Sequence, residues 1–237
     1  MHVFHAHRPL FAEMRHTQTG FTLAEFAIVT VLVGLLLGGV LAGRAVVTQA
    51  RIKLVVSQFT GVHSAHLYYI DRYAAVPGDD PRATVRWPGR AKDGTGDGQL
   101  SGRYMDPPPP GDPMTALTVS ATEGETLNYW WHLRLAELIA TPPPGISIAA
   151  QPLNPFAGVI GVQQDAMGFP VAAVCQANLP AVVAIGVEGQ LDELNPVRGT
   201  VRGRRQTAPN QALATTVAVT DYTEGDDDQY VLCRRLD

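Results

Sequence analysis

The sequence predicts an α+β protein in which a long N-terminal helix packs on a head built mainly from an antiparallel β-sheet. The 18 residues 26–43 carry no charge, which is typical of a helix in an apolar environment. Apolar residues then continue at helical spacing as far as Tyr73. Beyond Pro77 the chain has many glycines and prolines with short apolar segments between them, which is the pattern of short strands joined by turns.

The composition narrows the class of protein. The chain has 237 residues, of which 46% are hydrophobic and 17% are charged. This length allows one sizeable domain or two, and the hydrophobic content is too high for a wholly disordered chain. The net charge of -4 disfavours a general nucleic-acid-coating protein, which would be basic, so no nucleic acid is assigned as a partner.

The uncharged stretch is long enough to cross a membrane. As a helix it would span about 27 Å, close to the roughly 30 Å of a hydrocarbon core. No comparable stretch follows, so the sequence predicts a single transmembrane segment at about residues 26–43, with everything after Thr48 soluble in water. A cleaved secretory signal is the alternative, but the stretch is longer than the usual apolar region of a signal and only a weak cleavage site follows it.

The residues before this stretch resemble the prepilin signature of type IV pilins and type II secretion pseudopilins. They read Gly20-Phe21-Thr22-Leu23-Ala24-Glu25 and lead directly into the uncharged helix. The resemblance implies that a prepilin peptidase removes residues 1–20 as a leader by cutting between Gly20 and Phe21, and then methylates the new N-terminus at Phe21. It also implies that Glu25, the fifth residue of the mature chain, is needed for assembly.

A filament of such subunits gives the glutamate a chemical role. Cleavage would expose a cationic amine on Phe21, and the Glu25 carboxylate of one subunit could meet the amine of its neighbour. An unpaired charge in an apolar filament core costs several kcal/mol, so the pair would help to set the axial stagger between subunits. The simpler alternative is that Glu25 is solvated in the lipid headgroup layer.

The resemblance also implies a pilin-like fold, a location and a set of partners. The protein is expected to span the bacterial inner membrane once, with its head in the periplasm, and then to enter a pilus or pseudopilus that can reach the cell surface. Its partners would be prepilin peptidase, other pilin or pseudopilin subunits, the inner-membrane assembly platform and inner-membrane lipid. Ala42 stands where major pilins often carry a proline, which favours a minor pilin or a pseudopilin.

One helix is predicted over residues 21–75, and its second half is amphipathic. The residues on one face recur every three or four positions: Ile52, Val55, Phe59, Val62, His66, Tyr69 and Tyr73. The sequence Pro77-Gly78-Asp79-Asp80-Pro81 consists of residues that favour turns, so it predicts the end of the helix. It also resembles a stretch common in prepilin-type proteins. The head is therefore expected to occupy residues 76–237.

A long glycine- and proline-rich loop is predicted over residues 87–113. Part of it, residues 93–101, partly fits a calcium-binding loop, which makes Asp93 and Asp97 weak candidate metal ligands. Tyr104 stands where such a loop needs a bidentate acid. A solvated glycine loop is therefore the favoured interpretation, with calcium as the alternative, and no other cofactor is expected.

The rest of the head is predicted to contain one short helix and several strands. The capping box Thr122-x-x-Glu125 precedes a helix that runs to Ile139. The predicted strands are residues 158–163, 170–174, 181–187, 199–205, 215–220 and 229–235.

The two cysteines, Cys175 and Cys233, are candidates for a disulfide. The positive-inside tendency places the basic leader in the cytoplasm and the head in an oxidising compartment, where thiols that reach each other become bridged. Many type IV pilins have a bridge near the C-terminus, so the resemblance implies the same pairing. The alternatives are two free buried thiols, or a catalytic pair of a cysteine with His132.

Two charged clusters lie near the end of the chain. An acidic run before the last predicted strand consists of Glu224, Asp226, Asp227 and Asp228. A solvated hairpin loop is favoured there over a calcium site. Arg202 and Arg204 are alternate residues of a predicted strand and share one face, which could bind an anionic polymer such as DNA or protect an edge strand by charge.

The sequence has no recognisable enzyme motif: no nucleophile elbow, His-Glu-x-x-His, Walker sequence or paired-carboxylate signature. We therefore expect a structural subunit of a type IV pilus or type II secretion pseudopilus and not an enzyme. The alternatives are a minor pilin whose head binds DNA or a surface ligand, a membrane-anchored periplasmic binding or adhesion protein, and a secreted hydrolase.

Overall fold

A computed structural model describes residue 20 and residues 22–105, 124–192, 195, 198–213, 222–223 and 228–237. A short 3-10 turn, Ala166–Gly168, precedes the second strand. The other elements in chain order are α1 (Leu23–Tyr73), α2 (Ala83–Arg86), α3 (Glu125–Leu135), β1 (Ile160–Gln163), β2 (Ala173–Pro180), α4 (Ala181–Leu191), β3 (Val201–Arg205) and β4 (Gln229–Arg235). The chain divides into two compact units, residues 1–46 and 47–237.

The four strands form one antiparallel sheet in the order β1-β2-β4-β3. The last strand in the sequence, β4, is central, since it pairs with β2 on one side and β3 on the other. A bulge between Gln176 and Leu179 shifts the register of β2 against β4, and Asn178 within it has a φ of 59°. The long N-terminal helix and this sheet confirm the α+β prediction.

One face of the sheet is covered by helices of the 47–237 unit. The second half of α1 buries the face that the sequence predicted, and its buried residues are Ile52, Val55, Phe59, Val62, Ala65, His66 and Tyr69. All of these except His66 join one apolar cluster with Leu133 of α3, Val187 of α4 and Leu232 of β4. The Gln176 side-chain amide donates a hydrogen bond to the Val55 carbonyl (3.2 Å), which ties α1 to β2.

The opposite face of the sheet has a second core. Side chains alternate along a strand, so Cys175 and Val231 point away from the helices. Tyr104, Met167 and Phe169 cover this face and are almost completely buried. Because both faces of the sheet are covered, seven of the eight residues of β2 are buried.

The prediction of a strand over residues 181–187 is wrong, because this segment belongs to the helix α4. Ala181, Ala184 and Glu188 are buried at helical spacing, whereas Val182 is 58% exposed. A short apolar run does not by itself distinguish a buried strand from a buried helix, and packing against the sheet decides in favour of the helix.

The boundaries of α3 also differ from the prediction. Its N-cap is Gly124 and no side chain caps it, so Glu125 does not complete the predicted capping box. Thr122 lies outside the described residues. The helix ends at Leu135 instead of Ile139.

The other differences concern strands and the end of α1. The strand predicted at residues 170–174 begins at Ala173 and continues to Pro180. The one predicted at residues 215–220 lies outside the described residues. α1 ends at Tyr73, two residues before the predicted end, and Ala74 then adopts a φ of 50°.

Candidate functional site

The first turn of α1 is closed by reciprocal hydrogen bonds between Thr22 and Glu25. The backbone N–H and the hydroxyl of Thr22 both donate to Glu25 Oε2, each at 2.9 Å. The Glu25 N–H donates in return to Thr22 Oγ1 at 3.2 Å. This is a capping box, and the Thr-x-x-Glu pattern that signals it was visible in the sequence but not interpreted there.

The predicted processing residues lie directly before this turn. Gly20 is exposed, and Phe21 lies outside the described residues. Glu25 is exposed and both of its described hydrogen bonds end on Oε2, so no described group donates to Oε1. The carboxylate is therefore held at the positive end of a helix with one oxygen open to a further donor.

The first half of α1 exposes its apolar side chains. All described residues from 22 to 47 are exposed, and Leu35 and Leu36 are each 69% exposed. Soluble monomers rarely expose an apolar surface of this extent, so it needs lipid or other apolar helices around it. Among the described residues, α1 is the one helix long and apolar enough to cross a membrane, a property shared by membrane anchors and signal sequences.

Glycines leave open positions on this apolar surface. A Cβ added at Gly34, Gly38, Gly39 or Gly43 would meet no atom within 4 Å. Small residues four positions apart allow two helices to approach closely in lipid. The surface is therefore suited to contact with another helix.

In the head, the buried carboxylate of Asp79 organises the predicted glycine loop. Asp79 is 2% exposed and accepts hydrogen bonds from the Gly96 N–H, the Gly98 N–H (2.6 Å) and the Thr95 hydroxyl (2.9 Å). Burial raises the pKa of Asp79, and the nearby Glu125 carboxylate adds to this, while the three hydrogen bonds act against it. Gly94 passes so close to the Asp79 backbone that any side chain there would overlap it.

Glu125 fastens the other end of the same loop. Its two carboxylate oxygens accept the Thr95 N–H (2.8 Å) and the Ser101 N–H (2.9 Å). Glu125 is 1% exposed. Its role is therefore to bind the loop to the start of α3, which explains why it does not take part in a capping box.

The candidate calcium ligands, Asp93 and Asp97, accept hydrogen bonds from different parts of the chain. Asp93 accepts the N–H and the hydroxyl of Thr84, both at 2.7 Å, and Asp97 accepts the Gln99 N–H at 2.8 Å. No group of three or more His, Cys, Asp or Glu side chains in the described part of the chain is placed to hold a metal ion. The loop turns N–H donors inward toward a carboxylate, whereas a calcium site needs oxygen ligands.

A second acid in the predicted turn, Asp80, is paired. It accepts a hydrogen bond from the Tyr69 hydroxyl (2.7 Å) and forms an ion pair with Arg86. Burial tends to raise the pKa of Asp80, but the hydrogen bonds from Arg86, Arg82 and Tyr69 outweigh it and lower the pKa. This pairing fixes the turn to the end of α1.

Cys175 and Cys233 are joined in a disulfide. They lie directly opposite each other in β2 and β4, with their Cα atoms 4.0 Å apart, and both are fully buried. His132 is occupied elsewhere, since its Nδ1 accepts the Gly78 N–H (2.9 Å) and its Nε2 donates to the Lys92 carbonyl (2.7 Å). These bonds exclude the alternative of a catalytic cysteine paired with His132.

Two of the arginines near the C-terminus, Arg202 and Arg205, have partners within the chain. Arg202 and Arg204 lie on the same face of β3, opposite Cys233 and Val231 of β4. Arg202 Nη1 donates a hydrogen bond to the Met167 carbonyl (2.7 Å), and its guanidinium lies over the ring of Phe169. Arg205 pairs with Asp228 at 2.6 Å. The other acids of the run, Glu224, Asp226 and Asp227, lie outside the described residues.

Comparisons with protein-family models, with curated proteins and with solved structures found no match to this chain. The functional proposal therefore rests on the residues and their geometry.

Two structural roles were not expected from the sequence: the cap that Thr22 provides, and the loop anchoring by Asp79 and Glu125. The Thr-x-x-Glu pattern signals the first, but no local pattern signals the second, because the partners are distant in the chain.

Proposed function

We propose that the protein is a minor pilin or pseudopilin, a structural subunit of a type IV pilus or a type II secretion pseudopilus. The observation that carries this proposal is the run from Gly20 to Glu25, which comes immediately before the exposed, uncharged stretch 26–43 of α1. The signature supplies a site for prepilin peptidase. The helix supplies an apolar surface that suits both the inner membrane and a filament core.

The architecture of the 47–237 unit supports a pilin-like interpretation. The second half of α1 packs on an antiparallel sheet, which would couple a head to a helix held among other subunits. A head in the periplasm also agrees with the buried disulfide, because such bonds persist in oxidising compartments. The role is mechanical, and no catalytic step is assigned to the protein.

Assembly would proceed through the first turn of α1. Cleavage after Gly20 produces a cationic, then methylated, amine on Phe21. As the subunit leaves the membrane for the filament, its exposed apolar side chains exchange lipid for neighbouring helices. The Glu25 carboxylate, held by Thr22, then meets the amine of an adjacent subunit, and the cost of leaving either charge unpaired fixes the register.

Processing tests this function directly. In cells that contain prepilin peptidase, intact-mass measurement should find a mature chain that begins at methylated Phe21, and Gly20→Val should leave the full-length precursor. Gly39→Val is the matched control, because it makes the same substitution at an open position of the helix and should be processed normally.

The N-terminus of the mature protein also separates the alternatives. A chain that keeps Met1 would be a plain membrane-anchored protein, and a chain that begins near Ala45 would be a secreted one. Normal maturation of Gly20→Val would contradict the assigned cleavage site.

A further inference from the structure

An apolar cavity of about 620 Å³ lies beside α1 in the 47–237 unit. Its walls come from α1, from α3 and the turn that follows it, and from the proline-containing residues 140–153. Apart from Gln58, Arg134 and Gln151, its lining residues have no charged or amide side chain. A volume of roughly 300–1,000 Å³ with mostly apolar walls and a few polar groups is typical of sites for small molecules.

Arg134 places a buried positive charge at this cavity. It is 6% exposed, and none of the ion pairs among the described residues includes it. Its Nε donates to the Ala140 carbonyl (3.3 Å) and its Nη1 to the Ile148 carbonyl, whereas Nη2 donates to no described residue. Burial lowers the pKa of Arg134 to about 10, so the guanidinium remains charged at neutral pH.

The rim of the cavity is apolar and exposed. Leu153 is 59% exposed and Ile146 is 52% exposed, and both line the cavity. The Gln58 amide donates to the Leu153 carbonyl (3.3 Å), which links α1 to the proline-containing wall. Trp130, fully buried, forms part of the interior. An occupant that covers the rim must therefore be apolar, and one that neutralises Arg134 must carry a negative charge.

We propose that this cavity binds a small apolar carboxylate, such as a straight-chain fatty acid. The carboxylate would accept hydrogen bonds from Arg134, and the alkyl chain would lie along the apolar walls. A single carboxylate matches the one guanidinium that lines the cavity, and a charge-assisted hydrogen bond of this kind is roughly twice as strong as a neutral one. This site is separate from the N-terminal segment and does not depend on filament assembly.

Calorimetric titration of the full chain in lipid nanodiscs tests the proposal, with empty nanodiscs subtracted. The probes are octanoate, octan-1-ol and octylammonium, which share one chain length and differ in charge. Octanoate is expected to bind about tenfold more tightly than octan-1-ol, and octylammonium is expected not to bind. Equal affinities for octanoate and octan-1-ol would overturn the assignment of Arg134 as the anchor.

Substitutions at the rim and at the anchor separate site-specific binding from partition into lipid. Leu153→Asp places a charge at an exposed rim position and is expected to weaken octanoate binding at least tenfold. Val182→Asp is the matched control, because Val182 is 58% exposed on α4 and outside the cavity, and it should bind as the wild type does. Arg134→Met should make octanoate and octan-1-ol bind alike.

Two further results would overturn the proposal. One is unchanged octanoate binding by Leu153→Asp, a result that stands even if Arg134→Met fails to fold. The other is binding of a short apolar peptide through its C-terminal carboxylate in the absence of octanoate binding, which would indicate a protein partner.

Discussion

At the scale of single residues, the first turn of α1 combines a helix cap with the carboxylate that the proposed assembly requires. Thr22 holds Glu25 through two hydrogen bonds to the same oxygen. The helix dipole favours a negative charge at this end. Thr22 is therefore a positioning residue for Glu25 in the proposed filament.

Substitutions at these two positions should impair assembly to different degrees. Glu25→Ala removes the carboxylate, and Thr22→Val removes the hydroxyl while keeping the shape of the side chain. We expect normal membrane insertion for both, a strong loss of filament incorporation for Glu25→Ala, and a smaller loss for Thr22→Val. Immunoblots that compare the amount of each variant in sheared filaments with its amount in membrane fractions measure incorporation and insertion.

A matched control lies two turns further along the helix. Thr30 has a hydroxyl that donates to the Ala27 carbonyl (2.8 Å), away from Glu25, so Thr30→Val should assemble normally. Wild-type filament levels in Glu25→Ala would remove the basis for the proposed pairing of amine and carboxylate.

Buried histidines should make the 47–237 unit less stable in acid. Burial, with a contribution from His63, lowers the pKa of His66 to about 4, while a histidine in the unfolded chain titrates near 6.5. The unfolded chain therefore binds a proton that the folded one does not, and stability falls as the pH drops from about 6.5 to about 4. His66 alone would account for about 3 kcal/mol at the lower limit. His132 acts in the same direction, because burial also lowers its pKa.

Denaturant unfolding of the 47–237 unit at pH 7.5 and 4.5 measures this dependence. His66→Gln should show a smaller difference between the two pH values than the wild type. Leu67→Gln is the control, since Leu67 is next to His66 on α1, is 44% exposed and has no ionisable side chain, so this substitution should leave the difference unchanged. An identical pH dependence in wild type and His66→Gln would contradict the assignment.

At the scale of structural elements, the glycine loop is held by acids that lie outside it. Asp79 and Glu125 together accept five hydrogen bonds from the loop. The loop is therefore closed by contacts between segments distant in the sequence, and a bound cation is not needed to close it.

Asp79→Asn should loosen this loop, because an amide nitrogen cannot accept the N–H groups that point at it. An expected loss of about 1–3 kcal/mol follows from leaving a buried donor unpaired. Hydrogen exchange should become faster at Gly96 and Gly98, and added calcium should not restore the protection. Asp97→Asn is the control, because Asp97 accepts a single exposed bond. Calcium-dependent protection of the wild-type loop would show that a cation does bind there.

At the scale of the whole molecule, the disulfide joins the two central strands across 58 residues. The chain-entropy model assigns a loop of that length a stabilisation of about 4 kcal/mol. This is a large fraction of the 5–15 kcal/mol that is typical of folded proteins. The bond holds β4, the strand that pairs with both neighbours, against β2.

Reduction should therefore lower the melting temperature of the 47–237 unit and speed up hydrogen exchange in β2 and β4 more than in the second half of α1. A variant with both Cys175→Ala and Cys233→Ala is the control, because reductant should have no effect on it. Equal loosening of α1 and the two strands would show that the bond stabilises the unit as a whole and not the sheet in particular.

The sequence by itself determined the long helix, its buried face and the last strand, β4. Residues 52–69 repeat apolar side chains at helical spacing, and the uncharged stretch before them needs no tertiary contact to be recognised. These are local signals, so they can be recognised without knowledge of the fold. The resemblance of the first turn to a prepilin signature belongs to the same local level, and the function proposed from it is still a prediction.

The tertiary structure decided the features that depend on residues far apart in the chain. The segment 181–191 is apolar enough for a strand or a helix, and only its packing against the sheet made it α4. The pairing of Cys175 with Cys233 required the register of β2 and β4. The carboxylate of Asp79 reaches loop donors 16 to 19 positions away, and Arg134 meets the cavity wall because α1, α3 and the proline-containing segment converge there. Such contacts are set by chain folding in three dimensions, which no window of neighbouring residues encodes.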